Sequence, residues 1–219
     1  MARISDLKQK EEQQKNLLKG EQTNEQNILK SLRNKEKQLR KELEEKKRVA
    51  GRIEKEIARI IEEERKKATK GELTPEQKLI SDNFSDNKGR LPWPVERGVI
   101  TSHFGTHPHP ILKYVTEENI GIEITSQPNT VARSIFKGEV SAISTIQGAN
   151  MTVIIKHGKY LSVYNNLVKV RVKKGDKVDV KQIVGDIYQD PEENNNCTLK
   201  FMIFEEKNAL DPEAWITKM

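Results

Sequence analysis

Apolar residues recur at helical spacing between Leu32 and Ile60, and this pattern most constrains how the chain folds. The steps are seven, four, seven, three, four and three positions, through Leu32, Leu39, Leu43, Ala50, Ile53, Ile57 and Ile60. Such steps keep the apolar side chains on one stripe of a helix that is wound against a partner. Residues 1–70 also contain no proline. The pattern therefore predicts a coiled coil over residues 1–70.

The beginning of this segment leaves two arrangements open. Ile4, Leu7 and Leu18 continue the stripe weakly, and no apolar residue lies between Leu18 and Ile28, where Gly20 is found. The gap is compatible with a turn between two antiparallel helices or with a hydrated stretch of one long helix, and we favour the single helix. Such a helix alone leaves its stripe in water, so a partner helix or self-association is expected.

The excess of positive charge is confined to the same segment. Residues 1–70 hold 21 Lys and Arg against 14 Asp and Glu, and the totals of 39 and 33 leave 18 and 19 for the remainder. The first aromatic residue is Phe84. Without aromatic rings the segment lacks stacking platforms for single-stranded nucleic acid, so no nucleic-acid partner is expected. We interpret the charge as a solvated helix surface, with an acidic protein or an anionic membrane surface as lesser alternatives.

Residues 71–90 are predicted to form a linker that contains a short amphipathic helix. The stretch Thr74-Pro75-Glu76-Gln77 is typical of a helix start, with threonine as N-cap, proline in the first turn and glutamine at the capping-box position. Leu79, Ile80 and Phe84 are expected to form the apolar face of this helix.

The pattern changes in the region that follows the linker, residues 91–219. Short alternating runs rich in Val, Ile and Tyr, such as "MTVIIKHG" and "YLSVYNNL", are separated by Gly, Asn or Asp. Such runs are typical of the strands of a sandwich or barrel. The sequence therefore predicts an α+β multidomain protein. A long coiled-coil helix, or a helical hairpin, is followed by a mostly antiparallel β-sandwich or barrel-like domain.

Six blocks of the β region resemble, in their order, the LytM domain of the lysostaphin-type zinc peptidases, which cut peptide cross-links in the bacterial cell wall. The blocks are "LPWPVERGVITSHFG", "NIGIEI", "KGEVSAI", "VIIKHGKYLSVYNNL", "VKKGDKVDVKQIVGDIY" and "TLKFMIFEEKNALDPEAWI". The resemblance covers residues 91–219. A coiled coil followed by such a domain is similar, more narrowly, to the EnvC-like murein hydrolase activators.

The resemblance implies five positions for zinc binding and catalysis, and this chain differs at all of them. Asn119 and Glu123 stand where the active family has the His and Asp of H-x-G-x-D. Lys200 replaces the metal-binding His of H-x-H, and Thr198 replaces its catalytic His. Asn166 replaces the His of Y-x-H-L. Because an ammonium group has no lone pair for a metal, the resemblance implies a degenerate domain without metal, cofactor or catalytic residue.

Strand alternation predicts that these positions still line one groove. Side chains at alternate positions point to opposite faces of a sheet. Asn119 and Glu123 are therefore expected on one face of their strand, and Thr198 and Lys200 on the polar face of theirs. We predict a Glu123–Lys200 ion pair at the former metal position and expect Tyr164 beside the groove.

Three of the four histidines lie within seven residues, at His103, His107 and His109. The two neighbouring prolines exclude a helix that could align them, and the matching loop of the family carries no zinc ligand. We therefore interpret this segment as a surface or groove-lining loop and not as a metal site. His157 precedes a predicted hairpin turn and is interpreted as a turn residue.

The resemblance implies a non-catalytic activator of cell-wall amidases in cell division. Its groove would bind an N-acetylmuramoyl-L-alanine amidase, and its coiled coil would bind an FtsE–FtsX-type transporter complex in the periplasm. Peptidoglycan is a further candidate ligand. The chain shows no signal peptide and begins within the helical pattern, so we expect a fragment. A further hypothesis is that the helix Thr74–Phe84 covers the groove while the transporter is idle.

Two other functions remain open. An active zinc endopeptidase of peptidoglycan requires that all five assignments are misaligned. A periplasmic adaptor of a transport or secretion system also joins a coiled coil to a module with a run like "VKKGDKVDVKQIVG". Adaptors, however, insert their helices into the β module, whereas the helices precede it here. No apolar run is long enough to cross a bilayer, and the single cysteine, Cys197, permits no internal disulfide.

Overall fold

The computed structural model describes residues 2–68, 74–108, 116–145, 150–191 and 194–218. The chain divides into two compact units, residues 1–51 and residues 52–219. The last turns of the long N-terminal helix therefore belong to the same unit as the strands.

Helix α1 runs from Ala2 to Ala68 without interruption. The alternative of a helical hairpin is therefore wrong, and Gly20 lies inside the helix. Ion pairs one turn apart, such as Arg40 with Glu36, line its surface. Several large apolar side chains in the first unit are exposed, namely Leu17, Leu18, Ile28, Leu29, Leu32 and Leu39.

The second unit is built mainly from short strands. In chain order they are β1 Val99–Ser102, β2 Gly105–Pro108, β3 Thr116–Asn119, β4 Ile122–Ser126, β5 Val131–Arg133, β6 Gly138–Thr145, β7 Met151–His157, β8 Tyr160–Val170, β9 Lys177–Val178, β10 Ile183–Ile187, β11 Gln189–Asp190, β12 Asn196–Glu205 and β13 Asn208–Leu210. Neighbouring strands of the large sheet follow the order β1-β4-β12-β8-β7-β6-β9. Strand β10 pairs with β5 and β8, strands β11 and β13 pair with β12, and β2 and β3 form a separate hairpin. The pairings of these strands are antiparallel.

The large sheet has two unlike faces, which we name the core face and the groove face. Ile122, Tyr164 and Phe201 are fully buried on the core face, and they are opposite one another across β4, β8 and β12. Glu123 and Lys200 lie one position along from Ile122 and Phe201 and are opposite each other. Because alternate side chains point to opposite sides, both belong to the groove face.

Helix α2 spans Pro75–Asp86 and begins as the sequence predicts. The Thr74 hydroxyl accepts from the Gln77 backbone N–H, and the Gln77 side chain accepts from the Thr74 backbone N–H. The predicted capping box is therefore confirmed, and it satisfies two N–H groups that the first helical turn leaves free.

The buried side of α2 packs on the core face. Phe84 is fully buried and stacks near Tyr160 and Trp215, with ring centroids 4.8 and 5.3 Å apart. The same helix rests on the turn between β7 and β8, where an ideal Cβ on Gly158 would lie 2.4 Å from the Ser81 Cβ. The hypothesis that the helix Thr74–Phe84 covers the groove is wrong in this conformation, because the helix lies on the opposite side of the sheet.

Residues 52–63 of α1, which we name the docked segment, pack against the strands within the second unit. Four isoleucines of this segment are buried, namely Ile53, Ile57, Ile60 and Ile61. Glu56 accepts a 3.3 Å hydrogen bond from the Ser144 hydroxyl, and Glu62 pairs with Lys207 at 2.7 Å. Ser144 lies on β6 two positions from Ala142, which is opposite Ile154 of β7. The segment therefore covers an apolar part of the second unit that the core of the sheet does not include.

No helix in the described part of the chain is long and apolar enough to cross a membrane. A long N-terminal helix followed by a mostly antiparallel β domain is the fold class that the sequence predicts, and it is confirmed.

Candidate functional site

A row of polar residues crosses five neighbouring strands on the groove face. Ser102, Glu123, Lys200, Asn165 and Thr152 are opposite one another in turn, on β1, β4, β12, β8 and β7. The Asn165 amide donates to the Thr152 hydroxyl at 2.7 Å, which gives both buried side chains a hydrogen-bond partner. The register predicted for Glu123 and Lys200 is therefore present, with further polar residues on either side.

The predicted ion pair between Glu123 and Lys200 is absent, although both residues are fully described. Their positions are directly opposite, but their side chains do not approach within ion-pair distance. A half-buried pair gains only about 0–1 kcal/mol, and holding a lysine side chain in one conformation costs entropy of similar size. The strand register alone therefore does not determine the ion pair.

Three threonines form a chain of hydroxyl groups across β1, β4 and β12. The Thr101 and Thr125 hydroxyls are 2.9 Å apart, and those of Thr125 and Thr198 are 3.0 Å apart. Thr101 also donates to the backbone carbonyl of Glu123 at 3.4 Å. Thr198 is one of the predicted groove positions, and its side chain lies on the groove face as expected.

Asn166 reaches the groove through a break in the strand pattern. Its φ is +79°, a left-handed conformation that asparagine tolerates better than most residues, and the β7–β8 register shifts at Met151 and Thr152. The Asn166 amide donates to the Thr198 carbonyl at 2.7 Å, and its oxygen accepts from Asn150 at 2.6 Å. These bonds hold the side chain in place at the edge of the groove.

Asn119 does not share a strand with Glu123. It ends β3, which pairs with β2, whereas β4 begins only at Ile122. Its amide donates to the Ser102 hydroxyl at 2.7 Å and to the His103 carbonyl at 3.2 Å. Since Ser102 is opposite Glu123, Asn119 lies beside the polar row, and its amide hydrogens are used inside the protein.

Tyr164 lies in the core, so its predicted place beside the groove is wrong. Its ring packs 5.3 Å from that of Phe201, and its hydroxyl accepts from the Ile135 N–H at 3.0 Å. Burial raises the pKa of Tyr164 to about 12. The physical reason is strand alternation, because Tyr164 is one position from Asn165, which faces the groove.

A cleft of about 430 Å³ opens on the groove face. It is lined by hydroxyl, amide and carboxylate side chains, namely Thr101, Glu123, Thr125, Asn166, Tyr188, Asp190 and Thr198. Among the described residues, no lysine or arginine lines the cleft. The cleft therefore unites three of the five predicted positions, while Asn119 and Lys200 lie outside its lining.

Sequence reasoning missed four residues of the lining. Thr125 follows Glu123 by two positions, so the alternation used for Glu123 also predicts that Thr125 faces the groove. Tyr188 and Asp190 come from the segment around β11, and Thr101 from the irregular end of β1. Nothing in their local sequence indicates that these segments reach the same cleft.

The described histidines of the loop, His103 and His107, have separate partners. His103 Nδ1 lies 2.7 Å from a Glu213 carboxylate oxygen, and His107 Nε2 lies 2.6 Å from the Phe104 carbonyl. The two rings are 6.2 Å apart. His109 lies outside the described residues, so its predicted role as a loop residue stays a prediction.

His157 is a core residue, and its interpretation as a simple turn residue is wrong. It ends β7, is fully buried and stacks on Phe84 at 5.0 Å. Nδ1 lies 2.8 Å from the Lys137 carbonyl and therefore carries the proton, and Nε2 lies 2.8 Å from the Ser162 hydroxyl. Burial lowers the pKa of His157 to about 4, although the bond to Lys137 opposes this shift.

Comparison with known proteins agrees with this architecture. Residues 117–212, somewhat less than half of the chain, match the sequence model of peptidase family M23. No curated protein matches the chain. Two solved structures with a TM-score of 0.50 are similar to it over 60% of its length. They are Csd3 of Helicobacter pylori in an orthorhombic crystal, at 23% identity, and the SpoIIQ–SpoIIIAH pore-forming complex, at 18% identity.

These likenesses concern the fold. The match covers 36% of the Csd3 chain and 93% of the matched chain in the SpoIIQ–SpoIIIAH complex. This chain therefore spans about a third of the length of the Csd3 structure. Residues 117–212 of the β domain are thus similar to peptidase family M23, and the antiparallel sheet agrees with that similarity.

The residues present do not fit the zinc ion that the resemblance implies for active members. Of the three ligand positions, only Glu123 offers a carboxylate. The Asn119 amide nitrogen is turned to Ser102, and Lys200 brings a cation. Within the described ranges, no group of three or more His, Cys, Asp or Glu side chains comes together to hold a metal. These donors therefore support no metal-dependent step at this site.

Proposed function

We propose that this chain, whose residues 117–212 match peptidase family M23, is a non-catalytic activator of cell-wall amidases. Its groove binds an N-acetylmuramoyl-L-alanine amidase in the periplasm, and its coiled coil binds an FtsE–FtsX-type transporter complex. The observation that carries the proposal is the replacement of the family's metal and catalytic positions by residues that are integrated into the fold. Asn166 bonds to Thr198 and Asn150, and Thr198 bonds to Thr125.

These hydrogen bonds support a binding role because they form a pre-organised surface. A groove whose side chains are already held in place loses little conformational entropy when a partner binds. The cleft of about 430 Å³ is open enough for side chains of a partner segment. The described residues that line the cleft include no histidine, the residue type that the active family uses for metal binding and catalysis.

Activation follows from differential affinity. An amidase that alternates between a closed and an open state shifts towards the state that the groove binds more tightly. The shift is limited by the difference in affinity, so a groove that binds both states equally activates nothing. The chain therefore acts on the amidase equilibrium, and the hydrolytic chemistry stays in the amidase.

The exposed stripe of α1 supports a second binding surface. Leu18 and Leu32 are both 57% exposed in the first unit. An apolar stripe at this spacing is covered when a partner helix packs on it. We assign this role to the transporter complex, and self-association through the stripe is the alternative that a measurement of oligomeric state distinguishes.

The test is release of dye from labelled cell-wall sacculi. The protein alone, the cognate amidase alone and both together are compared, each with and without added zinc. We expect release only when both proteins are present. Zinc-dependent release by this protein alone would contradict the proposal and favour an active endopeptidase.

A pair of variants ties activation to the groove face. Lys200→Glu reverses a charge in the polar row, and Lys173→Glu reverses an exposed charge in the loop that precedes β9. We expect the first variant to lower activation and the second to leave it unchanged. Equal effects of the two variants would exclude the groove face as the amidase-binding surface.

A further inference from the structure

The cleft on the groove face has an excess of hydrogen-bond acceptors. The hydroxyls of Thr101, Thr125 and Thr198 share two hydrogen bonds with one another, which use two of their three hydrogens in either direction. The backbone carbonyl of Glu123 lies 3.4 Å from the Thr101 hydroxyl as a further acceptor. Each hydroxyl oxygen has two lone pairs, so the three hydroxyls offer more acceptor sites than hydrogens.

Two carboxylates line the cleft, Glu123 and Asp190, and Asp190 already interacts within the chain. The described part of the lining includes no lysine or arginine. The Glu123 carboxylate has no hydrogen-bond or ion-pair partner among the described residues, although Lys200 is directly opposite on β12. A half-buried carboxylate without a partner favours a cationic ligand that can donate to it.

An aromatic side chain completes the lining. Tyr188 follows β10, and its backbone N–H donates to the Asn166 carbonyl at 2.9 Å, which fixes its position beside Asn166. Aromatic rings attract a guanidinium or ammonium group that lies over their face. The Glu123 carboxylate, the hydroxyl oxygens and an aromatic ring thus all favour the same class of ligand.

We propose that this cleft receives the basic side chain, arginine or lysine, of an extended polypeptide segment. The inference rests on the proposed function, because it names the chemistry by which the groove recognises the amidase segment. The side chain donates to Glu123 and to the threonine oxygens. The planar guanidinium of arginine, with five N–H donors, satisfies more of these acceptors than the ammonium of lysine.

The experiment is a titration of the isotope-labelled full chain with two short peptides, followed by amide chemical shifts. Both peptides are acetylated and amidated, with alanines around one central residue. That residue is arginine in one peptide and citrulline, its uncharged analogue, in the other. Up to millimolar concentration, we expect the arginine peptide to shift the amides of Thr125, Asn166 and Thr198, and the citrulline peptide to leave them unchanged. Added salt should weaken the arginine effect because it screens half-exposed charges.

Matched carboxylate variants localise the site. Glu123→Gln removes the charge in the cleft and should weaken binding of the arginine peptide roughly three- to tenfold. Glu139→Gln removes an exposed carboxylate on β6 and should change nothing. Equal binding of the two peptides, shifts outside the cleft, or equal effects of the two variants would overturn the inference.

The outcome separates this inference from the proposed function. If the chain activates an amidase but does not bind the arginine peptide, the groove acts through other chemistry and only the inference is wrong. If the chain binds the arginine peptide but activates no amidase, the basic-residue site stands and the proposed function is wrong.

Discussion

The side-chain amide of Asn166 donates to the backbone carbonyl of Thr198 at 2.7 Å and so connects β8 with β12 beside the cleft. Asn166 holds a left-handed backbone conformation, with φ at +79°. Two substitutions distinguish the contribution of the Asn166 hydrogen bonds from that of its backbone conformation. Asn166→Gly removes the bonds to Thr198 and Asn150 and should lower the free energy of unfolding by about 1–2 kcal/mol. Asn166→Ala should cost about 1–2 kcal/mol more, because only glycine adopts this φ freely.

Urea unfolding followed by tryptophan fluorescence measures both variants. The two tryptophans, Trp93 and Trp215, lie in the second unit and are buried there. If Asn166→Gly were less stable than Asn166→Ala, the left-handed backbone conformation would not determine the stability at this position.

The buried His157 predicts a loss of stability in acid. Its pKa in the folded state is lowered to about 4 because the ring is removed from water. As the pH falls below about 6.5, the unfolded chain gains a proton that the folded chain excludes. The free energy of unfolding should therefore fall between about pH 6.5 and pH 4, by on the order of 3 kcal/mol, and this contribution should level off below pH 4.

Two measurements check the origin of this pH dependence. The imidazole resonances of His157 should not titrate between pH 5 and pH 8. Replacing the ring by His157→Phe, which keeps an aromatic surface against Phe84, should flatten the slope in this pH range. A slope that persists in this variant would assign the loss to other groups.

We expect the buried side chain of Phe84 to provide much of the free energy that holds α2 against the sheet. Its side chain is fully buried against His157, Tyr160 and Trp215, so Phe84→Ala should cost about 3–5 kcal/mol of stability. Leu79 is in the same helix but is 58% exposed, so Leu79→Ala should stay within about 0.5 kcal/mol of the parent. Thermal unfolding compares the two, and similar losses would mean that α2 is stabilised by propensity and not by packing.

Buried and exposed apolar residues of α1 should also differ in their contribution to stability. Ile57 is 1% exposed in the second unit, and Ile57→Ala should destabilise that unit by about 2–4 kcal/mol. Leu18, in the exposed stripe of the first unit, serves as the control, and Leu18→Ala should leave the tryptophan-detected transition unchanged. An unchanged transition in Ile57→Ala would show that residues 52–63 do not stabilise the strands.

The close packing around Gly121, beside the polar row, leaves no room for a larger side chain. An ideal Cβ at this position would lie 2.3 Å from Met202 Cγ and 2.4 Å from the Phe201 carbonyl oxygen, so Gly121→Ala forces a backbone shift. We expect a loss of about 1–3 kcal/mol and displaced amide resonances at Glu123. An ideal Cβ on Gly51, within α1, would meet no atom within 4 Å other than its chain neighbours and the nearby helix backbone, and Gly51→Ala should stabilise the helix by about 1 kcal/mol. Helical content by circular dichroism checks the second variant.

The elements with a local signal were predictable from the sequence. The capping box at Thr74 and Gln77 formed as expected, because its partners are three residues apart in the chain. The register between Glu123 and Lys200 was likewise predictable, since burial of the alternating apolar residues on β4 and β12 fixes which face each strand turns to the core.

The parts of the site that could not be predicted depend on backbone conformations and long-range contacts that leave no pattern in the nearby sequence. Asn166 is left-handed and lies at a register shift between β7 and β8, so it reaches the groove although it stands between Asn165 on the groove face and Leu167 in the core. Burial of His157 depends on Phe84, which is 73 positions away in the chain. The missing Glu123–Lys200 ion pair reflects side-chain conformations of small energy, which a strand pattern does not determine.

Cys197 shows one further consequence of the sheet arrangement. It is adjacent to Thr198 of the cleft, yet alternation turns its thiol to the core face, where it is fully buried near the Ile187 carbonyl. It is the only cysteine of the chain. The folded protein therefore has no thiol that oxidants or thiol reagents can reach, and its stability should be the same with and without reductant. A cysteine introduced at an exposed position can therefore be labelled selectively on this background, and a single probe beside the cleft would report partner binding.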